Sequence, residues 1–250
     1  MNIIAWITLL ILIYFLLKNR SNILASFARY QYGMGKTESA FKLYKFADKF
    51  GKMSVDHRLQ YAYYTLKEGE IDEADKLFNL IGMERLTPDK RAKLKESHAL
   101  VMWKRGEIDE AIEMLEYVHN NYVSTTTYGS LGYMYAYSGN LDKALEYNLE
   151  AYEYNDTDAI IVDNLAYTYL RLKDYENAEK YYKKLFELDP KFPEGYFEYG
   201  KYLVQKGSKE EGIEYVKKAL NCRFSFLSMH SRRDILDYLE QNGEDITKLV

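Results

Sequence analysis

The chain has 250 residues, 47% hydrophobic and 29% charged, which excludes a disordered polymer. Its single cysteine, Cys222, excludes an internal disulfide framework and any multi-cysteine zinc site. The formal net charge is −4, but residues 1–54 carry eight Lys and Arg against Glu38 and Asp48, a net +6, which leaves −10 for the rest. An acidic body argues against general nucleic-acid binding, where phosphate neutralisation supplies most of the affinity.

Ile3 to Leu17 is apolar all round, with Thr8 as its one weakly polar residue. Counted from Met1, it is about 25 Å of helix, at the short end of what spans a bilayer. Trp6 and Tyr14 suit the two interfaces, and Lys18 and Arg20 stop the run. The favoured reading is a transmembrane anchor over residues 1–20. A cleaved signal peptide is less consistent, because no basic region precedes the run and basic residues follow it directly. A helix packed on the neighbouring structure would need only one apolar face. Basic residues lie after the run, so the positive-inside rule puts the N-terminus outside and the body in the cytoplasm. Lys18, Arg20 and Arg29 are then membrane-proximal, against an anionic leaflet.

Beyond the anchor one stretch recurs. Gly69-Glu70-Ile71-Asp72-Glu73-Ala74 returns letter for letter as Gly106-Glu107-Ile108-Asp109-Glu110-Ala111. Aligned on the last residue of the motif, the copies end at Ala40, Ala74, Ala111, Ala144, Ala178 and Gly212. The spacings are 34, 37, 33, 34 and 34 residues. Twelve residues earlier stands a small residue every time: Ala28, Ala62, Ala99, Gly132, Ala166 and Gly200. Five residues before the anchor stands a glycine, except at Lys173. This pattern describes two helices that approach closely through small residues, joined by a turn whose glycine takes the left-handed conformation. The acidic residues after the turn complement the dipole of the second helix. Four residues after the anchor the residue is large, except at Asn148.

A period near 34 residues, with Leu131-Gly132-x-x-Tyr135, the variant Leu165-Ala166-x-x-Tyr169, and Leu188-Asp189-Pro190 closing a repeat, resembles the tetratricopeptide repeat family. The resemblance implies an all-α, right-handed α-solenoid of six helix hairpins: 21–54, 55–91, 92–124, 125–158, 159–192 and 193–226. A three-residue surplus in the second is expected in a loop around Pro88. Residues 227–250 read as a capping helix and tail, with Ile235, Leu236 and Leu239 covering the last repeat and Gly243 ending the helix.

Chemistry is sought and not found in the sequence. Gly35-Lys36-Thr37 lacks the preceding glycine and strand of a phosphate-binding loop. His57, His98, His119 and His230 have no metal-ligand spacing, and Cys222 has no partner for a nucleophile's role. The expectation is no catalysis, no cofactor and no metal. Asn155-Asp156-Thr157 is a glycosylation sequon that matters only in a secretory lumen.

In the resembling family the first helix of each repeat lines the inner, concave surface. Carried onto this sequence, that rule marks Tyr63, Leu66, Leu100, Trp103, Tyr133, Tyr137, Asp163, Tyr167, Arg171 and Lys201 as an aromatic groove with charged edges. Rigid aromatics are good anchors for a peptide. The chaperone-binding clamp of some family members is absent, since Ala25 and Arg29 stand at its first positions. The expected function is a membrane-anchored scaffold that binds a protein or peptide partner in this groove. A regulator sensing a small molecule or peptide signal in the same groove is the alternative.

Overall fold

The computed structural model describes residues 3–249. Met1 and Asn2, which open the expected anchor, and Val250, which closes the expected tail, lie outside the described residues. Among the described residues there are fourteen α-helices, one 3-10 turn at Ile246–Lys248 and no strand. They form two compact units. One holds the residues up to Leu66 together with Glu70–Leu94; the other holds Lys67–Gly69 together with the residues from Lys95 onward.

In the first unit, helix α1 (Ile3–Lys18) has no polar face, and Ile4, Trp6, Ile7 and Leu9 to Leu17 are all exposed. It is therefore not a helix packed on its neighbours. Only Asn19 separates it from α2 (Arg20–Gly33), and the two helices are bent by 65°. No single helix among the described residues is long and apolar enough to cross a membrane; α1 and α2 meet that test only as a bent pair. The expected single spanning helix is thus not supported as such. Its 16 described residues give about 24 Å, short of a ~30 Å hydrocarbon core.

Helix α2 pairs with α3 (Thr37–Lys49) through Ala28 and Ala40, both fully buried, and Tyr44 fills the space one turn on. Helices α4 (Val55–Lys67) and α5 (Ile71–Gly82) repeat the arrangement with Ala62 and Ala74. Stacked rings join the two hairpins: Tyr32 on Tyr64 and Tyr44 on Tyr61. Helix α6 (Pro88–Lys104) starts in this unit and runs on into the second. Its start corrects the expected loop at Pro88. Proline is the first helical residue, where its missing N–H costs nothing, so the surplus residues lengthen the helix.

The second unit continues with α7 (Ile108–Asn121), α8 (Thr125–Ser138), α9 (Leu141–Tyr154), α10 (Ala159–Arg171), α11 (Tyr175–Glu187), α12 (Glu194–Lys206) and α13 (Lys209–Ala219). Each hairpin packs on the next; α10 touches both helices of the α8–α9 hairpin as well as α11 and α12. Helix α14 (Arg232–Gln241) starts at a capping box on Ser231 and buries Ile235, Leu236 and Leu239 beside Ile213, Val216 and Ala219 of α13. Gly106 turns at φ 87°, and Lys173 holds the corresponding turn at φ 63°, a left-handed conformation that disfavours a side chain.

The close approach is tightest between α12 and α13. A methyl group on Gly200 would lie 2.7 Å from the Gly212 carbonyl oxygen, and one on Gly212 would lie 2.6 Å from that of Gly200. Backbone meets backbone there, so nothing local can give way. The exceptional Asn148 has its own reason. It is fully buried on α9 and donates to the Gly132 carbonyl (3.3 Å) and to Thr168 Oγ1 (3.0 Å). Asn164 donates to the Gly129 carbonyl at 2.8 Å. These bonds sew α8, α9 and α10 together where a large apolar residue would stand, and a methyl on Gly132 would collide with Asn148 Oδ1.

Two outcomes follow from this packing. Gly200→Ala should destabilise the second unit by about 1–3 kcal/mol, read as an earlier transition in chemical denaturation. In the first unit Glu84 accepts two bonds from Arg58 (2.5 and 2.9 Å) and one from Lys52 (2.8 Å), and these cations hold its carboxyl at about 2, well below the usual range. A depressed carboxyl stabilises above its unfolded value and loses that stabilisation as pH falls through its folded one. Glu84→Gln should therefore cost about 1 kcal/mol at pH 7, a partly solvated pair being weak. Its deficit against the wild type should close between about pH 4.5 and 2 in denaturation at each pH.

Candidate functional site

The C-terminal half of α6, with α8, α10 and α12, brings most of the expected groove residues onto one face of the second unit. Trp103 meets Tyr133 edge to face with centroids 5.2 Å apart and Tyr137 at 6.3 Å, and the two tyrosines stack at 6.0 Å. Leu100 is half-buried against the same cluster. Arg171 donates to the Tyr167 hydroxyl at 2.9 Å, and Lys201 donates to Glu198 at 3.0 Å. Arg171 and Tyr137 are exposed, the latter at 43%.

Two expected residues belong elsewhere. Leu66 is 0% exposed, a core residue that no partner reaches, because its side chain falls on the buried side of α4. Tyr63 is half-buried in the first unit, where burial and the neighbouring Tyr64 raise its hydroxyl's pKa. Trp103, at 8% exposed, is a buried support for Tyr133 and Tyr137 more than a contact surface. Of the basic residues expected near a membrane, Lys18 and Arg29 are exposed, whereas Arg20 donates to the Phe50 carbonyl at 3.2 Å with its guanidinium over the Phe50 ring.

The groove face has an acidic floor. Asp163 is pushed well above the usual carboxyl range by burial and by Glu194 and Glu198 beside it, and its oxygen lies against the backbone of Gly195. Burial also raises Glu194. Glu198 resists the same burial: bonds and charge from His230 and Lys201 hold its carboxyl below the usual value. Burial pushes Tyr133 upward, helped by the charge of Glu194, and pushes Lys104 downward.

This face is already covered. The connection between α13 and α14, Leu220 to Ser231, has no regular structure and returns across the first helices of the repeats. Arg223 N–H donates to the Lys191 carbonyl at 3.0 Å, and Phe226 N–H to the Lys67 carbonyl at 2.8 Å. The Phe226 ring lies 4.6 Å from the Lys104 ammonium. Leu227 packs on the cluster that holds Trp103 and Tyr128. Met229 N–H donates to Glu194 Oε1 at 2.9 Å. His230 bonds Glu198 Oε1 at 2.7 Å and sets its ring edge-to-face on Phe197. Every side chain from Phe224 to His230 is half-buried.

The family model described as tetratricopeptide repeat matches residues 161–192 and 193–222. These are tetratricopeptide repeats. The rest of the described chain shares their all-helical hairpin fold. No curated protein matches the sequence. A tetratricopeptide repeat protein from Parabacteroides merdae ATCC 43184 is 16% identical, with 90% of this chain and 85% of that chain covered and a TM-score of 0.70. Pseudomonas aeruginosa pilF is 15% identical, with 90% and 99% covered and a TM-score of 0.58. Human IFIT1, solved as a dimer with m7Gppp-AAAA, is 16% identical, with 81% and 48% covered and a TM-score of 0.60. At these identities the likeness is one of fold, and the fold alone selects no ligand.

Glu198, Phe226, Leu227, Met229 and His230 escape the repeat rule. Aligned by period, the sixth repeat ends at 226 and a cap begins at 227, which cuts the covering segment in two. The signal that finds it is length: the connections within hairpins are short, whereas Leu220–Ser231 is long and mixes Phe224, Phe226, Leu227 and Met229 with serines. For the acidic floor, a carboxyl raised by burial penalises folding once it ionises and is neutral below its unfolded value. Asp163→Asn should raise Tm at pH 7 by about 2–4 °C per kcal/mol relieved. The gain should vanish near pH 3, as scanning calorimetry at both pH values would read.

Proposed function

We propose that this chain is a non-enzymatic scaffold that binds an extended segment of a partner protein on the groove face of its second unit, while the apolar N-terminal helix holds it at a membrane. The observation that carries the binding half is the joint presence on one face of Tyr133, Tyr137, Tyr167, Arg171 and Lys201 with the carboxyls of Asp163, Glu194 and Glu198. Stacked aromatics supply apolar anchoring at low entropic cost, and half-buried charges supply orientation. Tetratricopeptide repeats suit protein–protein interaction scaffolds, which fits this reading.

The membrane half rests on α1, whose large apolar side chains are exposed all round and have no protein to cover them. Burying such a surface in lipid is strongly favourable, and a short helix is accommodated by local bilayer thinning and by Lys18 and Arg20 reaching to the headgroups. The charge asymmetry favours a body on the cytoplasmic side.

Carbonate extraction tests the anchor. The full chain should stay with the membrane pellet, and Leu10→Arg with Ile13→Arg should move it to the supernatant; release of the wild type would overturn the membrane reading. A pull-down on the same detergent-solubilised chain tests the scaffold. It should recover one protein stoichiometrically, with the yield cut at least tenfold by Tyr137→Ala with Arg171→Glu. Recovery of a small bound ligand by native mass spectrometry, and no protein, would replace the scaffold with the sensing regulator.

A further inference from the structure

The connection Leu220–Ser231 satisfies the groove as a ligand would. It turns once, where Ser228 N–H donates to the Ser225 carbonyl at 2.9 Å, donates backbone N–H groups to Lys67 and Glu194, inserts one aromatic and one aliphatic side chain, and ends on a carboxylate with a histidine. The cap packs on α13 through Ile235, Leu236 and Leu239 and meets the edge of the groove at Phe197, which Tyr238 of α14 and His230 of the segment share.

We propose that Arg223–His230 is a resident stand-in for the partner, so that the groove binds a non-helical peptide with an aromatic side chain at the place of Phe226, an aliphatic one at Leu227 and a basic one at His230, and binds it only when the resident segment leaves. This deepens the scaffold reading and rests on it. The chemistry of the site selects such a peptide. The half-buried Lys104 sits over the Phe226 ring, which a cation–π contact favours in an aromatic residue. Glu198 faces His230 with Glu194 and Asp163 close behind, so a cation is favoured there and a carboxylate is repelled. Backbone recognition through Lys67 and Glu194 takes the N–H groups at the places of Phe226 and Met229, which a helix would hold in its own bonds. Release needs no unfolding of a repeat helix, because the segment has no helix or strand of its own and is held by side chains that are only half-buried.

The test uses the full chain in detergent micelles and a fluorescent peptide of residues 221–231 with Cys222→Ser. In the opened variant, Phe226→Ser, Leu227→Ser and His230→Ala weaken the resident segment while the cap is kept. The opened variant should bind the peptide at least tenfold more tightly than the wild type. A peptide carrying the same three substitutions should show no such gain, and Glu198→Gln in the opened variant should weaken binding. Equal affinity of the two chains, or no binding by a folded opened variant, overturns the proposal. Self-association of the opened variant in place of peptide binding overturns it in favour of a second copy as the occupant. Should the variant fail to fold, hydrogen exchange on the wild type decides. Excess peptide should speed exchange at the Phe226 and Met229 amides, and unchanged rates overturn the proposal. A partner recovered equally by wild type and opened variant sinks the gate alone. Peptide binding without any recovered partner sinks the scaffold alone.

Discussion

Paired helices in this chain must come close enough for backbone to meet backbone, and most other features answer to that constraint. Ala28 with Ala40, Ala62 with Ala74 and Ala99 with Ala111 meet it with methyl groups, and Gly200 with Gly212 meets it with hydrogen. Once the approach is fixed, the residue one turn on must fill the space beside it, which Tyr44, Phe78, Leu115, Tyr182 and Val216 do while fully buried. The turn between the helices has then to be tight, and the left-handed residue at Gly106 or Lys173 supplies it. Asn148 is the informative departure. Beside Gly132 it trades apolar filling for hydrogen bonds to two neighbouring helices, so the register of three helices rests on directed bonds there.

These constraints explain why the fold is legible in the sequence and the site much less so. Helix pairing imposes the same small residue at the same interval, and repetition makes it visible without any alignment. The helix start at Pro88 is less legible, since proline both ends helices and begins them; local spacing alone does not separate the two roles. The groove residues divide by geometry. Trp103, Tyr133, Tyr137, Asp163, Tyr167, Arg171 and Lys201 follow from a positional rule because they stand on helices that repeat. Leu66 obeys the same rule and is nonetheless buried, because a helix face one residue wide either way decides between core and groove. Phe226 closes the last repeat beyond its second helix and His230 lies past it, and no periodic argument reaches them.

Electrostatics divides the two units' ion pairs by burial. Glu84 with Arg58 is a partly solvated bidentate pair that contributes modestly and depends on pH. Asp163, Glu194 and Glu198 are carboxyls gathered where water is scarce, and their mutual repulsion is relieved only in part, by His230, Lys201 and backbone N–H groups. Like charges held together under burial destabilise the structure that contains them, and such arrangements persist where a ligand or a neighbouring segment supplies the missing counter-charge.

A segment covalently joined to the surface it covers is present there at an effective concentration on the order of millimolar. The connection Leu220–Ser231, held at both ends by α13 and α14, has little chain to spare and stands at that level permanently. Any free chain offering the same side chains meets this local competitor first. A weak, abundant peptide is excluded by mass action alone, and the occupants that remain are those with contacts beyond the covered stretch. On the reading proposed above, the length of one irregular connection thus sets a threshold for the affinity of any peptide that competes for this surface.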